Sequence, residues 1–310
     1  MAAYQTNAKN AAPNGVPTYV LEHAPLLYLH SKDPYRPSSI AAQLTNTHPE
    51  VNFKPIAVPN PPLRLDRLDQ LNNVGGENVY LTSNEDATTN PAWLEGQKTY
   101  GNEDDKTGVV VVVDKGEGVV DAFYFYFWAF NWGGIVLGKQ LGDHVGDWEH
   151  NMIRFINGVP KYIWLSQHSN GEAFTFEALT KDASGKRPLI FASTGSHALY
   201  AIPGTHDHTI PNFNLDVPLL LIDETDKGSL YDPLTTSYFY RYNPTTSTFT
   251  PYNATDPTAF LYFKGRWGDA EYPADDPRQK DKGLLGFKKY GGGPTGVGDK
   301  YVHPISISNK

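Results

Sequence analysis

The chain has no cysteine among its 310 residues. Disulfides, thiolate-ligated zinc and thiol nucleophiles are therefore excluded. Charge is also sparse: Asp, Glu, Lys and Arg make up 19% of the sequence, with a formal net charge of −8. No run of Lys or Arg forms the basic patch that nucleic-acid binders carry, so no nucleic-acid partner is expected. Anionic membranes are disfavoured for the same reason. No stretch approaches the roughly 20 apolar residues of a membrane-crossing helix. The first 16 residues are polar and lack the apolar centre of a secretory signal. They read as a flexible leader ahead of one β-rich domain over 17–310. A secreted protein of this size needs no disulfide, so composition leaves the compartment open between extracellular and cytoplasmic.

What is plentiful points to strands. Aromatic residues reach 13%, with 19 Tyr and 15 Phe, and Gly (28) and Pro (24) are both abundant. Many short strands joined by turns produce that balance, and a helical bundle does not. The expected fold is mainly β: a β-sandwich, jelly-roll-like, with long loops and few short helices. Residues 17–40 alternate apolar residues with prolines, which predicts an extended segment along a sheet edge. Residues 48–107 read as loop-rich. Val109–Val113 is a run of five valines and predicts a buried strand. Val119–Phe130 is apolar or aromatic at nearly every position, as in a strand covered on both faces. Trp148–Ile156 and Lys161–His168 flank Asn157-Gly158, a strong hairpin signal. Phe174–Leu179, Pro188–Ser193, Pro218–Ile222 and Tyr238–Tyr242 predict further strands. The glycine-rich run 290–299 follows no strand and lacks a phosphate-binding lysine, so it reads as a loop.

The chemistry-bearing residues concentrate in one segment. Of ten histidines, six fall between 144 and 208: His144, His150, His168, His197, His206 and His208. Asp143, Asp147, Glu149 and Glu172 join them. A two-residue turn at Asn157-Gly158 would pair Ile156 with Val159, place Glu149 opposite Ser166, and place Asp147 opposite His168. Asp147, Glu149 and His168 would then share one face, with His150 and Trp148 on the other. His197, in a loop after a strand, could reach the same place. Such a set serves two chemistries. Imidazole and carboxylate ligands bind a divalent metal (Zn, Ca or Mg), for which His144, Asp147, His168, His206 and His208 are the candidates. Paired carboxylates alternatively act as general acid and base or nucleophile. The catalytic candidates are Asp147, Glu149, His168 and His197. The candidate substrate contacts are Trp148, Glu172, Arg266 and Trp267. Structural roles compete: Asp147 capping a turn, Glu149 pairing with Arg154, His150 packed in the core, and Tyr124, Tyr126 and Trp128 as core rather than a sugar-stacking stripe.

Several stretches resemble the vacuolar protein sorting-associated protein 62 family, a domain of unknown function in plants and fungi. They are HAPLLYLHSKDPYRPSSI (23–40), VDAFYFYFWAFNWG (120–133), GDHVGDWEHNMIRF (142–155), YIWLSQHSNGEAF (162–174), RPLIFASTGSHALYAIPG (187–204) and GRWGD (265–269). They occur in the family's order over much of residues 17–270. Where the family often shows an acidic HPDE-type pattern, this chain has HSKD (30–33), with Asp33 as the matching acid. The resemblance implies a vacuolar or secretory setting and names no reaction or catalytic residue. The reading favoured by the residues is a hydrolase with a His/Asp/Glu site, metal-dependent in one version and acting on glycans. The alternative is a non-enzymatic sorting module that binds a glycan or protein, with histidines sensing pH. Oligomeric state and substrate are not encoded in any motif.

Overall fold

The computed structural model describes residues 12–98, 105–136, 138–207, 222–279 and 288–301. Among them are two short helices, α1 (Thr18–Glu22) and α2 (Ile40–Thr45), and eighteen strands. The first four strands are β1 (Leu26–Tyr28), β2 (Thr47–Val51), β3 (Lys54–Pro55) and β4 (Tyr80–Ser83). Then come β5 (Gly108–Gly116), β6 (Val119–Asn131), β7 (Ile135–Val136), β8 (Lys139–Gln140), β9 (His144–Ile156), β10 (Val159–Gln167) and β11 (Asn170–Thr175). The last are β12 (Leu189–Ala192), β13 (Leu199–Tyr200), β14 (Gly204–Asp207), β15 (Ile222–Thr225), β16 (Leu230–Tyr231), β17 (Ser237–Asn243) and β18 (Thr248–Pro251).

Seven strands make the central sheet, in the order β11-β10-β9-β6-β5-β17-β18. Its pairs are antiparallel except β5–β17, which is parallel. The valine run explains why this sheet is central. Val110 and Val112 join one apolar layer, while Val109, Val111 and Val113 join the other. β6 repeats the pattern: Tyr124, Tyr126, Trp128 and Phe130 face one side, and Phe123, Phe125 and Phe127 the other. An uninterrupted apolar strand is stable only when both faces are covered. Each such buried side chain contributes roughly 1.5–3 kcal/mol over exposure.

One face is covered by a second sheet, ordered β13-β12-β1-β16. Leu27, Ile190, Leu199 and Tyr231 from that sheet share a core with Tyr126, Trp128, Ile153 and Leu165. The molecule is therefore a β-sandwich in this region, as the composition predicts. The opposite face is covered by α2, by β4, and by two 3-10 helical segments contributing Leu65, Leu68, Leu71, Phe260 and Leu261.

Two expectations change. Residues 17–40 do not run extended along an edge. Pro17 stands at the N-cap of α1, and β1 lies inside its sheet between β12 and β16. The strand expected at Phe174–Leu179 ends at Thr175, and a helical turn takes Phe176–Ala178. The aromatic stripe Tyr124, Tyr126 and Trp128 is fully buried core, as its default reading has it, and the sugar-stacking alternative falls away. Most of the strand expected at Pro218–Ile222 lies outside the described residues, as do most of the leader residues. No described helix is long and apolar enough to cross a membrane.

The β9–β10 hairpin fixes the site. Asn157 and Gly158 both take positive φ, and Ile156 pairs with Val159, as in a two-residue turn. The register then slips between Pro160 and Tyr162, because proline has no N–H for the ladder and a bulge absorbs it. Leu165 therefore faces Asn151, and the expected pairing of Asp147 with His168 is displaced.

Candidate functional site

Asp147 and Glu149 lie on the face of β9 that looks into the sandwich, opposite Trp128 and Tyr126 of β6. Both are buried. They are held at the end of the sheet by a kink at Gly146, whose φ is +71°. A Cβ there would meet the Trp267 carbonyl oxygen at 2.1 Å, so only glycine lets β9 pass this close.

Each carboxylate has its own partner. Asp147 Oδ2 lies 2.9 Å from Nδ1 of His197. The His197 ring stacks on Trp128, with centroids 4.3 Å apart and planes 6° from parallel. Its Nε2 is 3.6 Å from Asp33 Oδ2. Asp33 is pinned by the Gly195 N–H at 2.7 Å and the Tyr35 N–H at 2.9 Å. The acid matching the family pattern in HSKD thus reaches the same cluster from the β1 side.

Glu149 Oε2 accepts the Ser166 hydroxyl, and Ser166 Oγ in turn accepts the His150 N–H at 3.0 Å. Beyond the bulge, the serine side chain replaces a ladder carbonyl. Burial, and then the Asp147 charge, push the Glu149 carboxyl up to about 8. Lys300, the Ser166 hydroxyl and His168 pull in the other direction.

His168 sits in the β10–β11 turn with φ +54°, its side chain 25% accessible. Its Nε2 meets Asp223 Oδ2 of β15 at 3.0 Å. Asp223 also accepts Tyr200 Oη and Ser196 Oγ, both at 2.8 Å. Burial by itself would lower His168. The hydrogen bond to Asp223, with the charges of Asp223, Glu149 and Asp147, holds it above the usual imidazole range instead.

The remaining candidates are placed differently. His144 turns its Nδ1 to the Gly146 carbonyl at 2.7 Å, and burial lowers its pKa. His206 stacks on Tyr200 at 3.7 Å and approaches Thr225 Oγ1 at 2.9 Å. His208 lies outside the described residues. The expected metal set is thus divided among different hydrogen-bond partners. Among the described residues, no three of His, Asp and Glu are grouped to hold an ion. Trp148 and Trp267 pack edge to face at 5.5 Å in the opposite core, so neither presents an open surface for a substrate. Arg266 lies on that opposite side as well. Glu172 is exposed on β11, where it accepts from Gln167 at 3.0 Å. His150 is packed between Phe125 and Trp164, and burial drives its pKa well down. Asp143 receives Gly133 and Gln140 and is raised to about 6 by burial. Arg154 pairs with Asp121 at 2.7 Å, so it does not neutralise Glu149. Asp223 and Tyr200 escape sequence reading, because only strand pairing brings IDET and LY to His168.

The chain matches known proteins over this same region and beyond. Residues 131–217 match the family model for vacuolar protein sorting-associated protein 62. Vacuolar protein sorting-associated protein 62 of Saccharomyces cerevisiae is 37% identical over 95% of this chain and 68% of its own length. TDA6 of the same yeast, also named for vacuolar protein sorting, is 36% identical over 92% of this chain. The chain spans about two thirds of the length of these relatives, 66% for TDA6. Among solved structures, the non-toxic HaNLP3 protein covers 73% of this chain and 77% of its own, at 13% identity and a TM-score of 0.33. NLPPya in complex with mannosamine covers 62% of this chain and 72% of its own, at 14% identity and a TM-score of 0.33. With the identity to the yeast protein extending over most of both chains, this chain belongs to the vacuolar protein sorting-associated protein 62 family.

Proposed function

We propose that the chain is a hydrolase acting by paired-carboxylate chemistry, with glycans as the substrate class. One observation carries this reading. Asp147 and Glu149 share a strand face, and Glu149 is held protonated into the neutral range by burial and by its neighbour's charge. A carboxyl that keeps its proton can serve as acid beside a neighbour that serves as base. Glu149 would donate a proton to a leaving oxygen at neutral pH. Asp147, oriented by His197, would serve as base or nucleophile. Positions two apart on a strand lie about 6.6 Å apart along the backbone, which suits carboxyls flanking a glycosidic bond. His168, at the accessible rim, would orient the substrate. The test is turnover of a panel of oligosaccharides. Glu149→Gln should abolish turnover with the circular dichroism spectrum unchanged. A variant as active as wild type would overturn the assignment.

A second reading draws on the relatives' names and on His168. A sorting module would bind its cargo at this rim and release it as the His168–Asp223 pair changes charge. Binding that changes between about pH 5 and 7, with no turnover of any glycan, would favour this reading.

A further inference from the structure

The central sheet carries a second hollow on the face away from Asp147 and Glu149. It has a volume of about 540 Å³. Tyr242, Phe249 and Tyr262 line it, beside the exposed Lys264 and the half-buried Arg266. Glu77 and Asp299 also line it. Phe249 belongs to the core layer opposite the carboxylate pair, so this hollow is separate from that site.

The aromatic wall is built, not incidental. Tyr242 and Phe249 lie 4.7 Å apart and Phe249 and Tyr262 5.5 Å apart, ring to ring. The Tyr262 hydroxyl is fixed by the Phe249 N–H at 2.7 Å. The two cations project from pinned backbone. Arg266 N–H bonds the Val79 carbonyl at 2.8 Å, and its own carbonyl receives Leu81 N–H at 2.9 Å. Lys264 N–H bonds Asn72 Oδ1 at 2.9 Å. Among the described residues neither side chain makes an ion pair, whereas Arg154, Arg187 and Arg278 each hold a carboxylate.

We propose that this hollow binds an oligosaccharide that carries a carboxylate. The apolar face of a sugar ring stacks on aromatic side chains. Arg and Lys pair directly with a carboxylate. Glu77 and Asp299, also in its wall, can accept sugar hydroxyls. A volume of this size suits a small ligand of a few rings. The assignment does not depend on hydrolysis at Glu149.

The test is isothermal titration calorimetry of the full chain with tetragalacturonate, using maltotetraose as the neutral control. Saturable binding of tetragalacturonate is expected, with maltotetraose at least about 10-fold weaker, the worth of one charge-assisted pair. Arg266→Ala should weaken the acid about 10-fold. Tyr242→Ala should weaken both sugars. Circular dichroism of each variant separates lost binding from lost fold, and the exposed Lys264→Ala is the variant least able to disturb packing. Equal affinity for the two sugars would overturn the proposal. So would unchanged binding in both Arg266→Ala and Lys264→Ala, tighter binding of tetraglutamate, or no saturable binding at all.

Discussion

His197 lies flat on Trp128, with ring planes 6° apart, while its Nδ1 meets Asp147 at 2.9 Å. The imidazole therefore joins the aromatic core to the acid of the site. It is 1% exposed and takes φ +56°. His197→Ala removes a buried hydrogen-bond partner and opens a void beside Trp128. The expected loss is about 3 kcal/mol in urea unfolding, from the cavity and the unpaired carboxylate together. His206→Ala, on a half-exposed ring, should cost under about 1 kcal/mol. Equal costs would mean that His197 is not the keystone the geometry describes.

Much of this was legible in the sequence where local pattern and packing agree. The five valines and the aromatic run 119–130 read as strands buried on both faces, and they are. Asn157-Gly158 specified the hairpin, and Asp147 and Glu149 had to share a face by alternation alone. Register was not legible, because it hangs on a single bulge at Pro160. The partners of His168 were not legible either. Asp223 comes from a strand over fifty residues away, and no spacing announces it. Trp148 and Trp267 were legible as aromatic, but exposure is decided by the layer above them, here the turns around Leu68 and Phe260.

Glu149 gives a pH dependence with a definite sign. Its carboxyl is raised from 4.5 to about 8. The folded state therefore keeps a proton that the unfolded chain releases. The stability this contributes is complete below about pH 4.5 and is lost as pH rises to about 8. Glu149→Gln keeps the shape and removes the ionisation. The variant should melt close to wild type at pH 5 and several degrees above it at pH 9. A constant difference across that range would show that Glu149 titrates normally.

His168 has the same sign of pH dependence, set in the imidazole range. Its raised pKa means that the bond to Asp223 stabilises the fold fully below the ordinary imidazole range and fades as pH rises through the folded value. Asp223, Glu149 and Asp147 are the acids that face it. His168→Asn keeps a side chain that tolerates positive φ. It should lower the melting temperature at pH 5.5 and converge with wild type by pH 9. Thermal melts at the two pH values decide the matter, and a deficit that grows with pH would refute the pairing.

Gly146 tests the kink. A methyl group at this position would press on the Trp267 carbonyl, in a backbone conformation that alanine adopts only with strain. Gly146→Ala should cost about 2–4 kcal/mol and displace Asp147 from His197. Gly116 also has positive φ, but a Cβ there meets nothing. Gly116→Ala should cost only about 1 kcal/mol, the price of the φ alone. Chemical denaturation of the two variants side by side separates crowding from backbone strain.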